Sequence, residues 1–479
     1  MAWDSDSDRG NPKNWPTWKK WVVTMIVAWI CLVVSFGSSL YVTGVPYIVA
    51  KFHVSQTLAF SGLTFYLLGL AAGPMVAAPI SELMGRKVIY ITTLPISMLF
   101  VMAVGLAKNI ETILVCRFFA GFFASPPMAV AGGTITDIWE LEEMGVAMSA
   151  FCLAPFAGPV LGPIIGGFAS MNKHTWKWTA WIQLMFSGAI LPLVFAMPET
   201  YRPIIMKKRA KTRNLPLKKS EIGLGKFLST VLYITLLRPL RMLFLEPIVS
   251  VLSIYVAFIF AVLFGFFEAY PVIFEGVYHF SLGITGLAFL GIGVGLVCAT
   301  TTYIVIDRVM FFPKNADGTR GTRDANGKLI LAAPETKLLP AKIGALLLPG
   351  SLFWIGWSSK VSVHWIVPIL AGVPFGASLL LIFYTVLTYI STSYPPMVTA
   401  SALAANNLAR YILASVFPLF TIQMYKKLHI TWASTLFAFV AVALMPVPWM
   451  LERWGATLRA RSIYNVQETP TADTSSEDV

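Results

Sequence analysis

The chain has 479 residues, of which 57% are hydrophobic and 12% are charged, and its formal net charge is +13. A soluble globular chain carries about 25% charged residues, so this composition excludes a soluble domain. The four cysteines all lie in apolar runs, which argues against a disulfide framework.

Long apolar runs separated by short polar breaks occupy most of the sequence. Runs of this length match the hydrocarbon core of a bilayer, and each is expected to be a helix because no water there satisfies backbone groups. We therefore predict an all-α membrane protein with about twelve transmembrane helices. The predicted spans are 21–48, 57–80, 88–107, 112–136, 145–170, 178–197, 247–274, 282–307, 341–358, 363–391, 396–424 and 431–452.

Basic residues are divided unevenly between the two sets of loops. Residues 198–246 are the richest in lysine and arginine, and 1–20, 308–342 and the tail after 452 hold most of the rest. With twelve spans, all of these segments lie on one side of the membrane. This positive-inside pattern predicts that both termini are cytoplasmic, and it favours a membrane rather than a nucleic acid as the partner of the positive charge.

The long basic loop divides the chain into two halves of six spans, which fits a transporter with a midplane site between parallel halves. We expect an uncleaved first span, because it is too long for a signal-peptide core. The predicted segments are a cytoplasmic N-terminal segment at 1–20, a six-helix bundle at 21–197, a basic cytoplasmic linker at 198–246, a second six-helix bundle at 247–452 and a cytoplasmic disordered tail at 453–479.

The first motif lies at the cytoplasmic end of span 2, in the string from Pro79 to Lys87. Its glycine permits a tight turn between two packed helices. Glu82 and Arg86 are expected to pair with each other and with Asp137, which ends span 4, and to form a gating latch. The alternative is ordinary membrane anchoring by the cations at this turn.

The second motif is Arg117, which lies inside span 4. A buried guanidinium costs at least a few kcal/mol unless it is paired or faces water. We therefore expect a cation that faces a cavity and binds an anion or biases the proton of a neighbouring carboxylate. The alternative is that Arg117 reaches the outer headgroups along the helix.

The third motif lies in span 5, where Gly-Pro steps are repeated and are followed by Gly-Gly. Prolines remove backbone donors and glycines let helices approach closely, so this string predicts a bendable, tightly packed hinge. Generic packing of small residues is the alternative. The hinge candidates are Gly158, Pro159, Gly162, Pro163, Gly166 and Gly167.

These three strings, in this order and on these spans, resemble the loop 2–3, helix 4 and helix 5 signatures of the major facilitator superfamily. Further strings are similar to the fungal drug:proton antiporter branch with twelve helices. They are Asn11–Trp15 before span 1, Pro198–Pro203 after span 6, Glu246–Pro247 at the start of span 7, Phe267–Pro271 and Phe417–Phe420. The resemblance implies the major facilitator fold over nearly the whole chain.

Two more charges fall inside predicted spans, and such residues are functional candidates by default. Glu268, in the outer third of span 7, is a candidate proton carrier, or alternatively an interfacial carboxylate in contact with outside water. Arg410 lies near the midplane of span 11 beside Asn406 and Asn407, and these three are candidate substrate or proton-binding residues. Structural pairing of Arg410 with helix carbonyls or with Asn406 is the alternative.

The resemblance implies a secondary transporter that exports small organic molecules, such as drugs, toxins or polyamines, across a fungal plasma membrane by proton-coupled alternating access. Its expected partners are the substrate, protons and the bilayer, with no cofactor, no metal and no enzymatic activity, and it is expected to act as a monomer. Two buried arginines against one clear intramembrane acid favour a second reading, an exporter of di- or tricarboxylates. A different class remains open, a non-transporting membrane sensor or an integral-membrane enzyme.

Overall fold

The structure, a computed structural model, describes residues 3–5, 7–214, 233–315, 319–323, 329 and 333–464. Within these ranges the chain is a bundle of helices, and eleven of them are long and apolar enough to cross a membrane. The chain is therefore an all-helical, multi-pass membrane protein. The expected tail from 465 onward and residues 215–232 of the expected linker lie outside the described residues.

Helices of the first half follow the predicted spans closely. Side chains cap two of them: Ser55 accepts a hydrogen bond from the Leu58 N–H at 3.2 Å, and Asn109 accepts one from the Thr112 N–H at 3.1 Å. The helices are α1 (Thr17–Val42), α2 (Val45–Phe52), α3 (Gln56–Met84), α4 (Arg86–Leu106), α5 (Ile110–Ala124), α6 (Pro126–Ile138), α7 (Leu141–Lys173) and α8 (Lys177–Ala196).

The second half is reached through α9 (Arg202–Thr212) and α10 (Arg238–Leu245). Several of its helices begin with proline, whose missing N–H costs nothing in the first turn. They are α11 (Pro247–Tyr270), α12 (Leu282–Leu287), α13 (Leu290–Ile306), α14 (Leu339–Ser358), α15 (Ile366–Ser393), α16 (Pro396–Val416), α17 (Thr421–Leu444) and α18 (Val447–Ala460).

Five predicted spans are interrupted where the sequence predicts continuous helices. Span 1 divides between α1 and α2 at Thr43 and Gly44, and span 11 divides between α16 and α17 at a short turn over Phe417–Leu419. Span 4 consists of α5 and α6, which meet at Ser125 just before Pro126-Pro127. Span 12 consists of α17 and α18, which meet near Pro446, and the helix continues to Ala460 rather than ending at 452. Span 8 divides between α12 and α13. At the breaks in spans 4 and 12 the cause is proline, which removes a backbone donor.

Helix α16 occupies the position of predicted span 11, but it is less apolar than the eleven other candidate spans. Asn406, Asn407 and Arg410 account for much of the difference. Its length of 21 residues is sufficient to cross a bilayer. Together with the eleven apolar spans, it gives the twelve that the sequence predicts.

The two ends of the bundle differ in character. At one end, which we call the basic end, Lys13 forms a salt bridge with Glu140 at 3.2 Å, and the basic helix α9 lies nearby. At the opposite end, α2 and α7 terminate at His53 and His174, both with left-handed backbone angles. Contacts between the first and second halves run along the helices between these ends.

Candidate functional site

A cavity of about 240 Å³ lies between the two halves near the end opposite the basic end. Helices α1, α2, α3 and α7 supply one wall, and α11, α12 and α17 supply the other. Its described lining is Val42, Thr43, Val45, Pro46, Gln56, Phe60, Pro163, Phe267, Glu268, Pro271, Val272, Glu275, Leu282, Thr285, Gly286, Phe289, Ile422 and Lys426.

Glu268 is the buried carboxylate of this cavity. Glu268 is only 2% exposed, and its Oε2 atom accepts a hydrogen bond from the Ile422 N–H at 3.0 Å. That contact joins α11 to the first turn of α17. The sequence places Glu268 in the outer third of a span, and the structure adds that its side chain faces the space between the halves.

Glu275 is a second carboxylate in the cavity, and the sequence analysis missed it. Predicted span 7 ends at 274, whereas a π-helical turn over Pro271–Glu275 extends α11 by one more turn. Glu275 thus falls seven residues after Glu268 and lines the same cavity. Residues seven apart share one face of a helix, so this spacing was the signal available in the sequence.

Arg117 lies inside the first half, away from this cavity. Its residue is 3% exposed, and its guanidinium donates to the carbonyl oxygens of Gly62 at 3.2 Å and Gly37 at 2.9 Å. The rings of Tyr41 and Tyr66 flank it at 4.3 and 4.2 Å from their centroids. The charge is therefore held by carbonyl dipoles and aromatic faces among α1, α3 and α5.

Arg410 occupies an aromatic cage at the middle of the bundle. Its guanidinium lies 4.5 Å from the Phe260 ring centroid and 5.1 Å from that of Phe383, and Nη2 donates to Asn407 at 2.6 Å. Asn406 points elsewhere and donates to the Ser253 hydroxyl at 3.4 Å. The structure thus joins Arg410 to Asn407 rather than to Asn406, and none of the three lines the cavity.

The predicted latch residues lie at the basic end, where Arg86 meets Asp137 with Nε 3.5 Å from Oδ2. Arg86 also donates to the Ser81 hydroxyl at 2.9 Å. Glu82 is exposed and takes part in none of the salt bridges found among the described residues. The structure therefore brings two of the three candidates together.

Glu199 completes this cluster, although the sequence analysis gave it no role. Its carboxylate accepts the backbone N–H groups of Arg86 at 3.0 Å and Lys87 at 3.1 Å, which are the first two of α4. A carboxylate at a helix N-terminus satisfies free donors and interacts favourably with the helix dipole. Gly85, at φ +100°, permits the turn that exposes these donors.

The glycines of α7 form two close-packed surfaces. Added Cβ atoms at Gly158, Gly162 and Gly166 would collide with α1, at Ser35, Ser39 and Thr43 respectively. An added Cβ at Gly167 would meet the Leu282 carbonyl oxygen of the second half at 2.8 Å. Pro159 and Pro163 are buried within the continuous helix. Helix α7 thus packs on its own half and on the start of α12, which is the tight packing that the sequence predicts.

The halves meet at mid-depth and at the basic end. The Thr64 hydroxyl donates to the Ser415 carbonyl oxygen at 2.8 Å, and the Phe156 ring lies 4.8 Å from that of Phe383. At the basic end, Arg323 forms a salt bridge with Glu142 of the first half. The cavity therefore lies on one side of a region where the halves are in direct contact.

Known proteins match this chain over most of its length. The model of the Major Facilitator Superfamily matches residues 27–418. Polyamine transporter 4 of Saccharomyces cerevisiae is 54% identical over 481 residues, covering 96% of this chain and 72% of that protein. Major facilitator superfamily multidrug transporter mdrA of Aspergillus fumigatus is 41% identical over 466 residues, covering 96% and 75%.

Among solved structures, that of the proton:xylose symporter XylE superposes with a TM-score of 0.66 at 15% identity. The match covers 93% of this chain and 100% of that chain. At this identity the likeness concerns the fold alone.

Proposed function

The chain belongs to the major facilitator superfamily and is a membrane transporter rather than an enzyme, and from this membership we propose that it exports small organic cations in exchange for protons. The cavity between the halves is the proposed binding site. Relatives named for polyamine and multidrug transport support a cationic, chemically broad cargo.

One observation carries this proposal, namely the charge of the cavity. Glu268 and Glu275 both line it, and the basic residue among its described lining is Lys426, whose side chain is exposed at the mouth. Phe60, Phe267 and Phe289 line the same cavity and give it aromatic surface. Carboxylates with aromatic walls suit an organic cation, because both attract positive charge and the rings accept apolar groups.

The burial of Glu268 supports the proposed exchange of protons. An ionised carboxylate in a dry cavity is costly unless a cation or a proton neutralises it. Bound cation and bound proton are therefore alternatives at the same oxygen atoms. We propose that the cation leaves to the outside when a proton takes its place, and that the protonated carboxyl returns through the conformational change.

Alternating access is proposed to occur by rocking of the two halves. Helix α7 contacts both halves through its glycines, so it is the proposed pivot, with Pro159 and Pro163 permitting it to bend. The contacts of Arg323 with Glu142 and of Thr64 with Ser415 must break for a path to open at the basic end. Arg86 and Asp137 are proposed to hold the first half rigid during this movement.

We propose that the protein lies in the plasma membrane, and the distribution of positive charge supports both termini in the cytoplasm, since the basic segments share one end of the bundle. Both halves come from one chain, which supports a monomer as the working unit. The organic-acid alternative gains no support from the cavity, because Arg117 and Arg410 are held by carbonyls, aromatic rings and Asn407 elsewhere.

The test is transport by the full chain in proteoliposomes with an imposed pH gradient. Octyltrimethylammonium is a suitable probe, because its permanent charge prevents passive entry and proton carriage. We expect it to accumulate in an acidic lumen while labelled citrate does not, and we expect Glu268→Gln to reduce the accumulation at least tenfold. Glu111→Gln, at an exposed carboxylate on the same end of the bundle, is the control. Gradient-driven citrate movement, or full activity of Glu268→Gln, would contradict the proposal.

A further inference from the structure

We propose that Glu275 is a second cation-binding residue, which together with Glu268 makes the cavity prefer elongated dications over monocations of the same length. This inference rests on the proposed function and deepens it, since it names a substrate class and the residue that selects it.

The two carboxylates are arranged for a ligand with two charged ends. They lie seven residues apart on α11 and its π-helical extension, which corresponds to roughly 10 Å along a helix axis. Both line the same cavity, so their side chains share one face. A dication whose charges are a similar distance apart can contact both at once, whereas a monocation of equal length cannot.

The polar groups at the Glu275 end of the cavity are its carboxylate and the hydroxyl of Thr285, which lies close enough to interact with it. Neither Oε1 of Glu275 nor the Thr285 hydroxyl makes a hydrogen bond of good geometry among the described residues, although both atoms are buried and Thr285 is only 3% exposed. Buried polar groups are nearly always hydrogen-bonded, and such exceptions call for a ligand or water. Glu268 differs, because Ile422 already donates to one of its oxygens. At the Glu275 end, a carboxylate and a hydroxyl thus face the cavity with only a poorly aligned contact between them.

The lining that separates the two carboxylates along the chain is apolar, because Pro271 and Val272 lie between Glu268 and Glu275 and both line the cavity. Phe60, Phe267 and Phe289 line the same cavity, and all three are buried. This surface suits the aliphatic chain that separates the charges of an elongated dication. Lys426, which also lines the cavity, is an exposed residue, in contrast to the buried Glu268. The two charges of such a dication therefore correspond to the two carboxylates, and its aliphatic chain corresponds to the apolar lining of the cavity.

Charge balance supplies the preference. A monocation bound at Glu268 leaves the half-buried carboxylate of Glu275 without a cation, whereas a dication neutralises both carboxylates. Leaving one partner of a buried charge pair uncompensated is costly, so we expect the dication to be preferred by on the order of tenfold in kcat/KM.

The test compares two permanently charged probes of equal chain length, octyltrimethylammonium and the bis-quaternary dication with trimethylammonium at both ends of an octyl chain. Both are assayed in the same proteoliposomes under the same pH gradient. In the wild-type protein we expect the dication to have the higher kcat/KM. In Glu275→Gln we expect the dication-to-monocation ratio to fall about tenfold, and Glu275→Asp should restore part of it. Glu111→Gln should keep the wild-type ratio.

Three results would overturn the inference. A wild-type protein that moves both probes equally well would remove the dication preference while leaving cation export intact. A Glu275→Gln protein that keeps the wild-type ratio would assign the preference to other residues. Failure of the wild-type protein to move either probe would overturn the proposed function together with this inference. Because Glu275→Asp and the monocation rate report folding separately, a misfolded Glu275→Gln protein is recognised as such.

Discussion

The Tyr384 hydroxyl donates a hydrogen bond of 2.6 Å to the carbonyl oxygen of Ser149, which lies in the other half of the molecule. The bond joins α15 to α7 in the buried centre. A buried hydrogen bond contributes about 0.5–1.5 kcal/mol, so its loss shifts a two-state equilibrium several-fold. It is thus one of the contacts that hold the halves together on the basic side of the cavity.

We expect Tyr384→Phe to favour separation of the halves and to expose Cys152, which is buried in the present arrangement. The measurement is the rate at which a small thiol reagent labels Cys152 when the other three cysteines are serine. Labelling should accelerate several-fold. Tyr90→Phe, which removes a 2.9 Å bond to Thr134 within the first half, should leave the rate unchanged. Equal rates in Tyr384→Phe and wild type would contradict a role in inter-half closure.

Glu199 should matter more to stability than Glu82. Glu199→Gln removes a carboxylate that accepts the first two N–H groups of α4, which should cost about 1–2 kcal/mol. Glu82→Gln changes an exposed side chain and should cost less than 0.5 kcal/mol, about the usual effect of a surface substitution. Thermal unfolding in detergent compares the two variants. A larger loss from Glu82→Gln would restore Glu82 as the principal latch acid.

Close packing of α7 on α1 predicts that Gly162→Ala is destabilising. An added Cβ would collide with the Ser39 side chain and the Leu40 backbone, so overpacking should cost about 1–3 kcal/mol. Gly188→Ala is the matched control, because no atom lies within 4 Å of its added Cβ and alanine favours the helix. Thermal unfolding should rank Gly162→Ala below wild type and Gly188→Ala at or above it. The reverse order would show that α7 does not need this close approach.

Arg117 is expected to support the fold rather than the selectivity. Lysine cannot reproduce the two bonds to the Gly62 and Gly37 carbonyls while contacting two tyrosine rings, so Arg117→Lys should cost about 2–4 kcal/mol. The protein that does fold should keep the wild-type preference among substrates. Unfolding temperature and relative transport rates measure the two effects. A variant of normal stability with altered substrate preference would instead place Arg117 in the transport path.

The N-terminal segment should stay docked on α9 across the physiological pH range. Arg209 donates to both oxygens of Asp8, at 2.5 and 2.8 Å, and these hydrogen bonds hold the pKa of Asp8 well below its usual range. A lowered folded pKa gives stabilisation that is complete above the ordinary value of about 4 and is lost as pH falls through the lowered value. Acidification from pH 7 to pH 5, both above about 4, should therefore not release the segment.

Asp8→Asn should release it at neutral pH. The measurement is tryptic cleavage after Arg9, which should be faster in Asp8→Asn than in wild type. Glu143→Gln, at an exposed carboxylate on the same end of the bundle, should cleave like wild type. Unchanged cleavage in Asp8→Asn would show that other contacts dock the segment.

The sequence predicted what depends on length and local spacing. Long apolar runs gave the spans, because the bilayer sets their length, and the glycine string of α7 gave close packing because small residues permit it. The partnership of Arg86 with Asp137 also agreed with expectation.

The direction of side chains within a helix was not predictable in the same way. Arg117 was expected to face a cavity that binds an anion or lies beside a carboxylate. It lies among carbonyls and rings inside the first half and lines a cavity of only about 10 Å³, since a sequence does not state which neighbouring helices surround a face. Glu275 was missed because the apolar run of span 7 was ended at 274, one residue before this charge, whereas the helical backbone continues through a π-helical turn to Glu275. Both cases required the packing of several helices to be known.

The polar character of α16 has a consequence for the insertion of this protein into the membrane during translation. A helix with Asn406, Asn407 and Arg410 near its middle partitions poorly into lipid by itself, since a single central arginine costs about 2.5–3.5 kcal/mol during insertion. Arg410 lies against the ring of Phe260 on α11, and Asn406 bonds Ser253 on the same helix. Insertion of α16 is therefore expected to require contact with α11, which is synthesised earlier. α11 can provide that contact only if it stays beside the translocation channel until α16 emerges.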